Sequence, residues 1–410
     1  MALGPAMSPV ATARRLWRGL VPESLRRAAQ PVLARALSAY VRSSARAPHA
    51  ADTLGGPIRV VGYLEGSHGI AASARLAVRA FEALGVPVET IDVSAARLDW
   101  LGKAGPAPTP GPWIFHLNAP ELLAALAYLG PKRVLGPRYG YWAWELPKAP
   151  DLWLKDAALV DGVWAPSAYT AQALAGAAAP VRVVPHPLFL EDYRDVVPTP
   201  RTAEFLAVSL FDFNSAAARK NPEGVISAFA QAFGDDPTVR LVLKTQNGHL
   251  FPEHLARLRR LAAANVTIED AVWPYEQVKS LIAGADVLIS LHRAEGFGLT
   301  PAEAMALGTP VIATGWSGNL DFMDANSALL IPFHPIAVRD SQGIYAGQTW
   351  AEPDTAAAAE ALQRLRTTPE LGRRLAENGR RMVAERLSPQ AWFTTLPDAV
   401  KRAAMAAVRG

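Results

Sequence analysis

The chain has 410 residues, half of them apolar and 19% charged, which predicts a well-buried globular protein rather than a disordered one. Its length suits two domains of roughly 150–200 residues each. The absence of cysteine excludes disulfides, thiolate nucleophiles and cysteine-ligated metals, and a net charge of +4 gives no argument for nucleic-acid binding.

Residues 1–56 are predicted to form a basic extension. The first 50 residues contain eight arginines against one acid, Glu23, with apolar side chains between them. One hypothesis is an amphipathic helix on an anionic membrane surface; the alternatives are a solvated extension and a transit peptide. Pro22 and Pro31 would interrupt a long helix. Since apolar runs such as Leu122–Leu129 are too short to span a bilayer, we expect a cytoplasmic protein, with peripheral contact at the inner membrane face as the alternative.

Residues 57–197 alternate between strand and helix patterns and are predicted to form the first domain. β-Branched and aromatic runs predict strands, and apolar spacing of three and four residues predicts helices. The predicted strands are 58–64, 88–93, 113–117, 139–144 and 181–184, and the predicted helices are 70–84, 119–129 and 169–175. Such alternation is typical of a parallel sheet covered on both faces.

A proline-containing segment, 190–202, is predicted to link this domain to a second one, residues 198–385. There the strands are predicted at 205–210, 239–244, 266–269, 286–291, 309–313 and 328–331, and the helices at 222–233, 252–264, 275–283 and 301–307. A helical tail follows, and residues 386–410 would pack back on the first domain. The fold class is therefore α/β, two Rossmann-like sheets facing each other across a cleft, with ligands at the carboxyl ends of the strands.

The most informative motif runs from Glu295 to Glu303, between a buried strand and a helix. Gly296 and Gly298 permit positive φ and close approach of a ligand to the backbone. Thr300 is predicted to be the N-cap, with Pro301 in the first helical position, so that free amides form an anion site. A competing interpretation makes Thr300 and Glu303 a capping box.

Arg219 and Lys220 are predicted to lie at the start of a helix, where two cations oppose the helix dipole unless an anion sits between them. A solvated charge pair is the alternative. A glycine-containing loop after the first strand, with Gly66 and Gly69, is a weaker signal for phosphate binding. The aromatic run that ends in Glu145 suggests a sugar-binding surface or, alternatively, aromatic core packing.

The run from His292 to Thr314, continued to Asp321, resembles the Glu-x7-Glu signature of retaining glycosyltransferases of family 4, the group 1 glycosyltransferases with the GT-B fold. The resemblance implies that Glu295 holds hydroxyls of the donor sugar and that Glu303 binds the ribose. It implies that the backbone of Gly296, Phe297, Gly298 and Leu299 approaches the sugar and diphosphate. It also places Arg219 and Lys220 against the diphosphate, and the loop of Gly66 and Gly69 near phosphate and acceptor. Many members carry a histidine where this sequence has Glu145.

The predicted reaction is transfer of a sugar, mannose or glucose, from a nucleoside-diphosphate sugar to an acceptor hydroxyl. The acceptor would be a glycan or lipid-linked glycan of envelope or exopolysaccharide synthesis. No metal-ligating spacing is evident, so we expect no metal or other cofactor. The alternatives are a nucleotide-sugar epimerase and a non-catalytic nucleotide-sugar-binding subunit.

Overall fold

The computed structural model describes residues 32, 35–36, 38–43, 56–66, 69–94, 109–200, 203–339, 345 and 347–409. The membrane hypothesis for the N-terminal extension therefore falls almost entirely outside the described residues. Residues 38–43 are helical, and their Val41 is buried. The guanidinium of Arg42 donates to Asp156 at 2.6 Å, which attaches this short helix to the first half of the chain.

The first sheet has six parallel strands in the order β2-β1-β3-β4-β5-β6. Its strands are β1 (Ile58–Gly62), β2 (Val88–Asp92), β3 (Trp113–His116), β4 (Arg138–Tyr141), β5 (Gly162–Ala165) and β6 (Val181–Val183). The helices between them are α1 (Gly69–Ala83), α2 (Ala119–Leu129), α3 (Asp151–Asp156) and α4 (Ala168–Ala173). Strands β1, β3, β4 and β5 are buried along their whole length, as expected when helices cover both faces of a parallel sheet.

The second sheet also has six parallel strands, in the order β12-β11-β10-β7-β8-β9. Its strands are β7 (Phe205–Asp212), β8 (Val239–Gln246), β9 (Val266–Asp270), β10 (Val287–Ser290), β11 (Val311–Thr314) and β12 (Leu329–Ile331). The helices before and between them are α5 (Glu191–Arg194), α6 (Ala217–Lys220), α7 (Pro222–Phe233), α8 (Pro252–Leu261), α9 (Tyr275–Gly284) and α10 (Leu299–Leu307).

The C-terminal helices connect the two halves. Helices α11 (Thr355–Thr367) and α12 (Pro369–Leu387) contribute side chains to the core of the second sheet. The next two helices, α13 (Pro389–Thr395) and α14 (Asp398–Arg409), pack on the first sheet. There the indole ring of Trp392 meets the edge of Phe81 at a centroid distance of 4.9 Å. The chain therefore returns to its first half after completing the second.

Several features of the secondary structure differ from the prediction, and the short helices α3 and α6 were not predicted. Strand β5 was missed because Gly162 and Ala165, at its two ends, are residue types depleted in strands. The predicted linker contains the short helix α5. An antiparallel hairpin, β13 (Phe333–Ala337) and β14 (Thr349–Pro353), was also missed, since Pro335 within β13 argues against a strand.

Candidate active site

A cleft of about 650 Å³ lies between the two sheets. The first half contributes the loop after β1, the start of α1 and the segment after β4, while the second half contributes α6 and the segment between β10 and α10. Of the predicted site residues, the cleft brings together Gly69, Glu145, Arg219, Lys220, Glu295, Gly296, Phe297, Gly298, Leu299 and Thr300. The volume lies within the range of typical small-ligand sites, and the position matches the carboxyl-end rule for open α/β sheets.

The glycine-rich segment before α10 is held by the first half of the chain. The hydroxyl of Ser167 donates to the carbonyl of Gly296 at 2.6 Å, and that of Thr170 reaches the same oxygen at 3.3 Å. A Cβ at Gly318 would lie 2.2 Å from this carbonyl oxygen, so glycine is needed there for the backbones to approach. The peptide after Glu295 is therefore fixed from both sides.

Helix α10 begins at Leu299, with Gly298 as its N-cap at φ +99°. The prediction that Thr300 is the N-cap is wrong, because the left-handed conformation of Gly298 starts the helix earlier and places Thr300 and Pro301 in its first turn. The capping-box interpretation of Glu303 is wrong as well, since its carboxylate accepts a hydrogen bond from the Tyr275 hydroxyl at 2.6 Å.

Glu295 lies at the centre of a buried charge cluster. Its side chain is 9% exposed, and its two oxygens face different cations: Lys220 at Oε1 and the guanidinium of Arg219 at Oε2, 3.2 Å away. Burial alone would raise the pKa of Glu295, but Lys220 and Arg219 outweigh it and lower the pKa to about 2. The carboxylate is therefore ionised at neutral pH, with two cations directed into the cleft beside it.

The predicted helix position of Arg219 and Lys220 is wrong. Both residues end the short helix α6, and the next helix, α7, has its own N-cap in Asn221, whose side chain accepts from the amide of Gly224. A helix C-terminus favours cations, so the predicted conflict with a dipole does not arise. The guanidinium of Arg219 also donates to the carbonyl of Ala294 at 2.8 Å, which directs it toward Glu295.

Glu303 lies on α10, beside a pair of tyrosines. Tyr275 donates to its carboxylate, and the hydroxyls of Tyr275 and Tyr193 lie 3.1 Å apart. Burial raises the pKa of Glu303 to about 7, against the opposing influence of the Tyr275 hydrogen bond and the charge of Lys279. Glu303 is not among the residues that line the cleft, and its raised pKa sets it apart from Glu295.

Glu145 follows β4 and faces the second half of the chain. Its Oε1 lies 4.0 Å from Nη2 of Arg219, and its Oε2 accepts from the hydroxyl of Tyr345 at 3.4 Å. The neighbouring Trp144 is nearly fully buried and meets Tyr345 in an edge-on contact. The prediction of aromatic core packing is confirmed for Trp142 and Trp144, while Glu145 lines the cleft and the predicted sugar-binding role stays a prediction.

Of the two glycines predicted after β1, Gly69 lines the cleft and Gly66 does not. The guanidinium of Arg75 donates to the carbonyls of Leu64 and Gly66, at 2.7 and 2.8 Å, and so fixes the loop's first half. Gly69 begins α1 and lines the cleft, with nothing within 4 Å of the position a Cβ would take.

Several residues that line the cleft were not predicted from the sequence. Ser73, Tyr141 and His186 line the cleft floor, and the pKa of His186 is lowered to about 3 by burial. The hydroxyl of Tyr141 lies 3.2 Å from Nδ1 of His186. Tyr345, which lines the cleft, was missed because it follows a strand that was not predicted. Tyr275, which contacts Glu303, was missed as well, although its position shortly after β9 pointed to the carboxyl edge of the sheet.

The described ranges show neither a metal-binding cluster nor a membrane-spanning helix. No group of three or more His, Asp or Glu side chains in those ranges is arranged to hold a metal ion. None of the helices described is both long enough and apolar enough to cross a membrane.

Known proteins are similar in sequence to the second half of the chain. Residues 213–382 match the family described as "Glycosyl transferases group 1". A D-inositol 3-phosphate glycosyltransferase of Streptomyces griseus is 31% identical over 164 residues, which cover 38% of this chain and 31% of that protein. The chain thus matches about a third of the length of this curated relative.

Solved structures share the whole architecture. Sucrose-phosphate synthase from Thermosynechococcus elongatus gives a TM-score of 0.60 at 18% identity, over 85% of this chain and 98% of that one. HepE of Anabaena, in complex with UDP and glucose, gives 0.59 at 14% identity, over 84% of this chain and 100% of that one. These likenesses confirm the predicted fold, two Rossmann-like domains in the GT-B arrangement.

Proposed function

We propose that this chain, whose residues 213–382 form a group 1 glycosyltransferase domain, transfers a sugar from a nucleoside-diphosphate sugar to an acceptor hydroxyl with retention of the anomeric configuration. The observation that carries the proposal is the charge cluster in the cleft. An ionised, buried Glu295 lies between Lys220 and Arg219, next to a glycine-rich backbone at the carboxyl edge of the second sheet. A diphosphate and a sugar need cations and a carboxylate side by side, and this cluster provides both.

Each part of the donor is assigned to its own residues of the site. Lys220 and Arg219 face the diphosphate, the backbone from Gly296 to Leu299 faces the sugar and phosphates, and Glu295 accepts sugar hydroxyls. Glu303 accepts the ribose hydroxyls, displacing the Tyr275 hydroxyl that it now binds. The positive φ of Gly298 supports this assignment, because it opens the first turn of α10 toward the cleft.

The difficult step is departure of the nucleoside diphosphate while positive charge builds on the anomeric carbon. The two cations and the start of α10 stabilise the departing negative charge, and one well-aimed donor of this kind contributes on the order of 3 kcal/mol. The leaving phosphate accepts the proton of the acceptor hydroxyl. Glu145, on the wall contributed by the first half of the chain, contacts the reacting sugar. Closure of the two halves excludes water.

The substrate assignment follows from the resemblance and the site. We propose mannose or glucose as the transferred sugar and a glycan or lipid-linked glycan as the acceptor, in envelope or exopolysaccharide synthesis on the cytoplasmic side. The arginine-rich extension would supply peripheral membrane contact.

Since the cations of the site are side chains, the transfer needs no metal, and we expect dialysis against EDTA to leave turnover unchanged; loss of turnover would contradict this.

A ligand screen tests the proposal. The purified chain is heated with UDP, GDP, ADP and their common sugar conjugates, and a ligand at about 100 times its dissociation constant should stabilise the fold by about 2.7 kcal/mol. We expect a shift with one nucleotide series that is lost in Glu303→Ala. No shift with any nucleotide would contradict a nucleotide-sugar site.

Product analysis by NMR separates the alternatives once the donor is known. A transferase forms an α-glycoside from an α-linked donor only when the acceptor is present. An epimerase would change the free donor without an acceptor, and a binding subunit would leave the donor intact.

A further inference from the structure

The hairpin of β13 and β14 belongs to the second half of the chain by sequence but not by packing. The strand before it and the helix after it contribute Ile331 and Ala358 to the core of the second sheet. The hairpin side chains Tyr345 and Trp350, 8% and 2% exposed, are instead buried in the core of the first sheet, with Trp144. The hairpin therefore crosses the cleft from one half to the other.

The base of the hairpin is tied to the candidate active site by Arg293. Its guanidinium donates to both carboxylate oxygens of Glu352 on β14, at 2.7 and 2.9 Å, and to the carbonyl of Ala218 on α6, at 2.6 Å. The amide of Ala351 donates to the carbonyl of Arg293 at 3.0 Å, and the amide of Arg293 to that of Arg219 at 2.7 Å. The base is thus fixed to the segments that carry Glu295, Arg219 and Lys220.

The far end of the hairpin is tied to the loop after β4. The side-chain amide of Gln348 accepts from the amide of Lys148 at 3.0 Å and donates to the carbonyl of the same residue at 2.9 Å. Tyr345 packs edge-on against Trp144 and donates to Glu145. Glu145 lies between these two attachments, on a loop that has left its sheet.

We infer that this hairpin positions Glu145 in the cleft, with Gln348 and Tyr345 as the positioning residues. Gln348 fixes the loop backbone three residues after Glu145, and Tyr345 fixes the carboxylate itself, so that its other oxygen faces Arg219 at 4.0 Å. A reacting group must be held within about 0.5 Å to be effective, and a loop needs such outside support. The inference rests on the proposed function, since Glu145 has a task only if a sugar is transferred there.

A double-mutant cycle tests whether Gln348 and Tyr345 act through Glu145. Turnover is measured for the wild type, Gln348→Ala, Tyr345→Phe, Glu145→Gln and the two doubles with Glu145→Gln. We expect each hairpin variant to lose about tenfold in kcat at an unchanged nucleotide dissociation constant, and to cause no further loss in the Glu145→Gln background. The control is Thr349→Ala, an exposed neighbour on β14, with wild-type turnover. Independent, multiplicative losses would overturn the inference.

Hydrogen exchange tests the positioning without turnover. We expect the amide of Lys148 to exchange at least tenfold faster in Gln348→Ala than in the wild type or Thr349→Ala. Unchanged exchange would overturn the inference, whatever the kinetics. If the Lys148 amide exchanges faster in Gln348→Ala but the wild type transfers no sugar, the hairpin positions the loop and only the proposed function is contradicted.

Discussion

The assignment of Glu303 to the ribose predicts that nucleotide binding depends on pH. With a pKa of about 7, raised by burial, the carboxyl of the ligand-free protein is mainly neutral below pH 7 and mainly ionised above it. If the ribose hydroxyls bind the ionised form, as we propose, the affinity is full above the pKa and falls by a factor that approaches ten per pH unit below it. We predict that the dissociation constant of the nucleotide sugar rises about tenfold from pH 8 to pH 6, as measured by calorimetry.

The matched control for this pH dependence is Glu303→Gln. The amide does not titrate, so its weaker binding should be constant over the same range. A nucleotide sugar is the right ligand because its diphosphate carries no proton that titrates near neutral pH. A flat profile in the wild type would contradict the assignment of Glu303 to the ribose.

We expect Glu295 to compete with the donor for the two cations of the cleft. In the ligand-free protein its carboxylate pairs with both Lys220 and Arg219, the cations that we assign to the diphosphate. We predict that Glu295→Gln lowers turnover more than 100-fold, as expected for a lost charged contact at the reacting sugar, yet tightens binding of the free nucleoside diphosphate by about tenfold.

The same substitution removes the carboxylate that pairs with the buried Arg219, which keeps Glu145 at 4.0 Å, and with the partly exposed Lys220. Removing one partner of a buried ion pair costs about 3–5 kcal/mol, so the ligand-free variant should melt earlier and the nucleotide should restore more stability than in the wild type. Glu360→Gln, on the exposed face of α11, is the charge-matched control. Weaker diphosphate binding in Glu295→Gln would disprove the competition.

Helix α10 depends at its start on one glycine. Gly298 has φ +99°, and a side chain there costs about 1–3 kcal/mol and displaces the first turn that faces the cleft. We predict that Gly298→Ala lowers stability by this amount and raises the donor KM at least tenfold. Gly85, at φ +71° after α1 and with open space around it, gives the control: Gly85→Ala should lose stability while keeping the donor KM. Equal KM changes in both variants would contradict a specific role for Gly298.

At the scale of elements, prediction from the sequence worked where periodicity is strong. Most strands and the longer helices of both sheets show their pattern, whereas the short helices α3 and α6 were not predicted. The motif from Glu295 to Glu303 marks the junction of β10 and α10. The start of α10 was misplaced because Gly298, and not the better capping residue Thr300, takes the left-handed conformation. The ion pair of Lys220 with Glu295 and the Tyr275 contact of Glu303 join residues 75 and 28 positions apart, which no local pattern reveals.

The hairpin and the C-terminal helices show what sequence order conceals at the scale of the whole molecule. The hairpin and the last two helices, α13 and α14, follow the second sheet along the chain and pack against the first, whereas α11 and α12 stay with the second. The hydroxyl of Ser167 adds a direct bond to Gly296 across the cleft. The loop that carries Glu145 is therefore joined, through Gln348 and Tyr345, to a hairpin whose base is fixed to the second half of the chain.

Trp392 anchors helices α13 and α14 on the first sheet. It is 1% exposed, and replacing such a residue by alanine costs about 3–5 kcal/mol. Helix α12, which precedes it, stays in the core of the second sheet, so the loss falls on the first half alone. We predict that Trp392→Ala splits thermal unfolding into two transitions and that the nucleotide raises only the higher one, since Lys220 and Glu303 lie in the second half. Leu261→Ala, at an exposed position, should unfold like the wild type. A single, uniformly lowered transition would mean that the halves unfold together without this anchor.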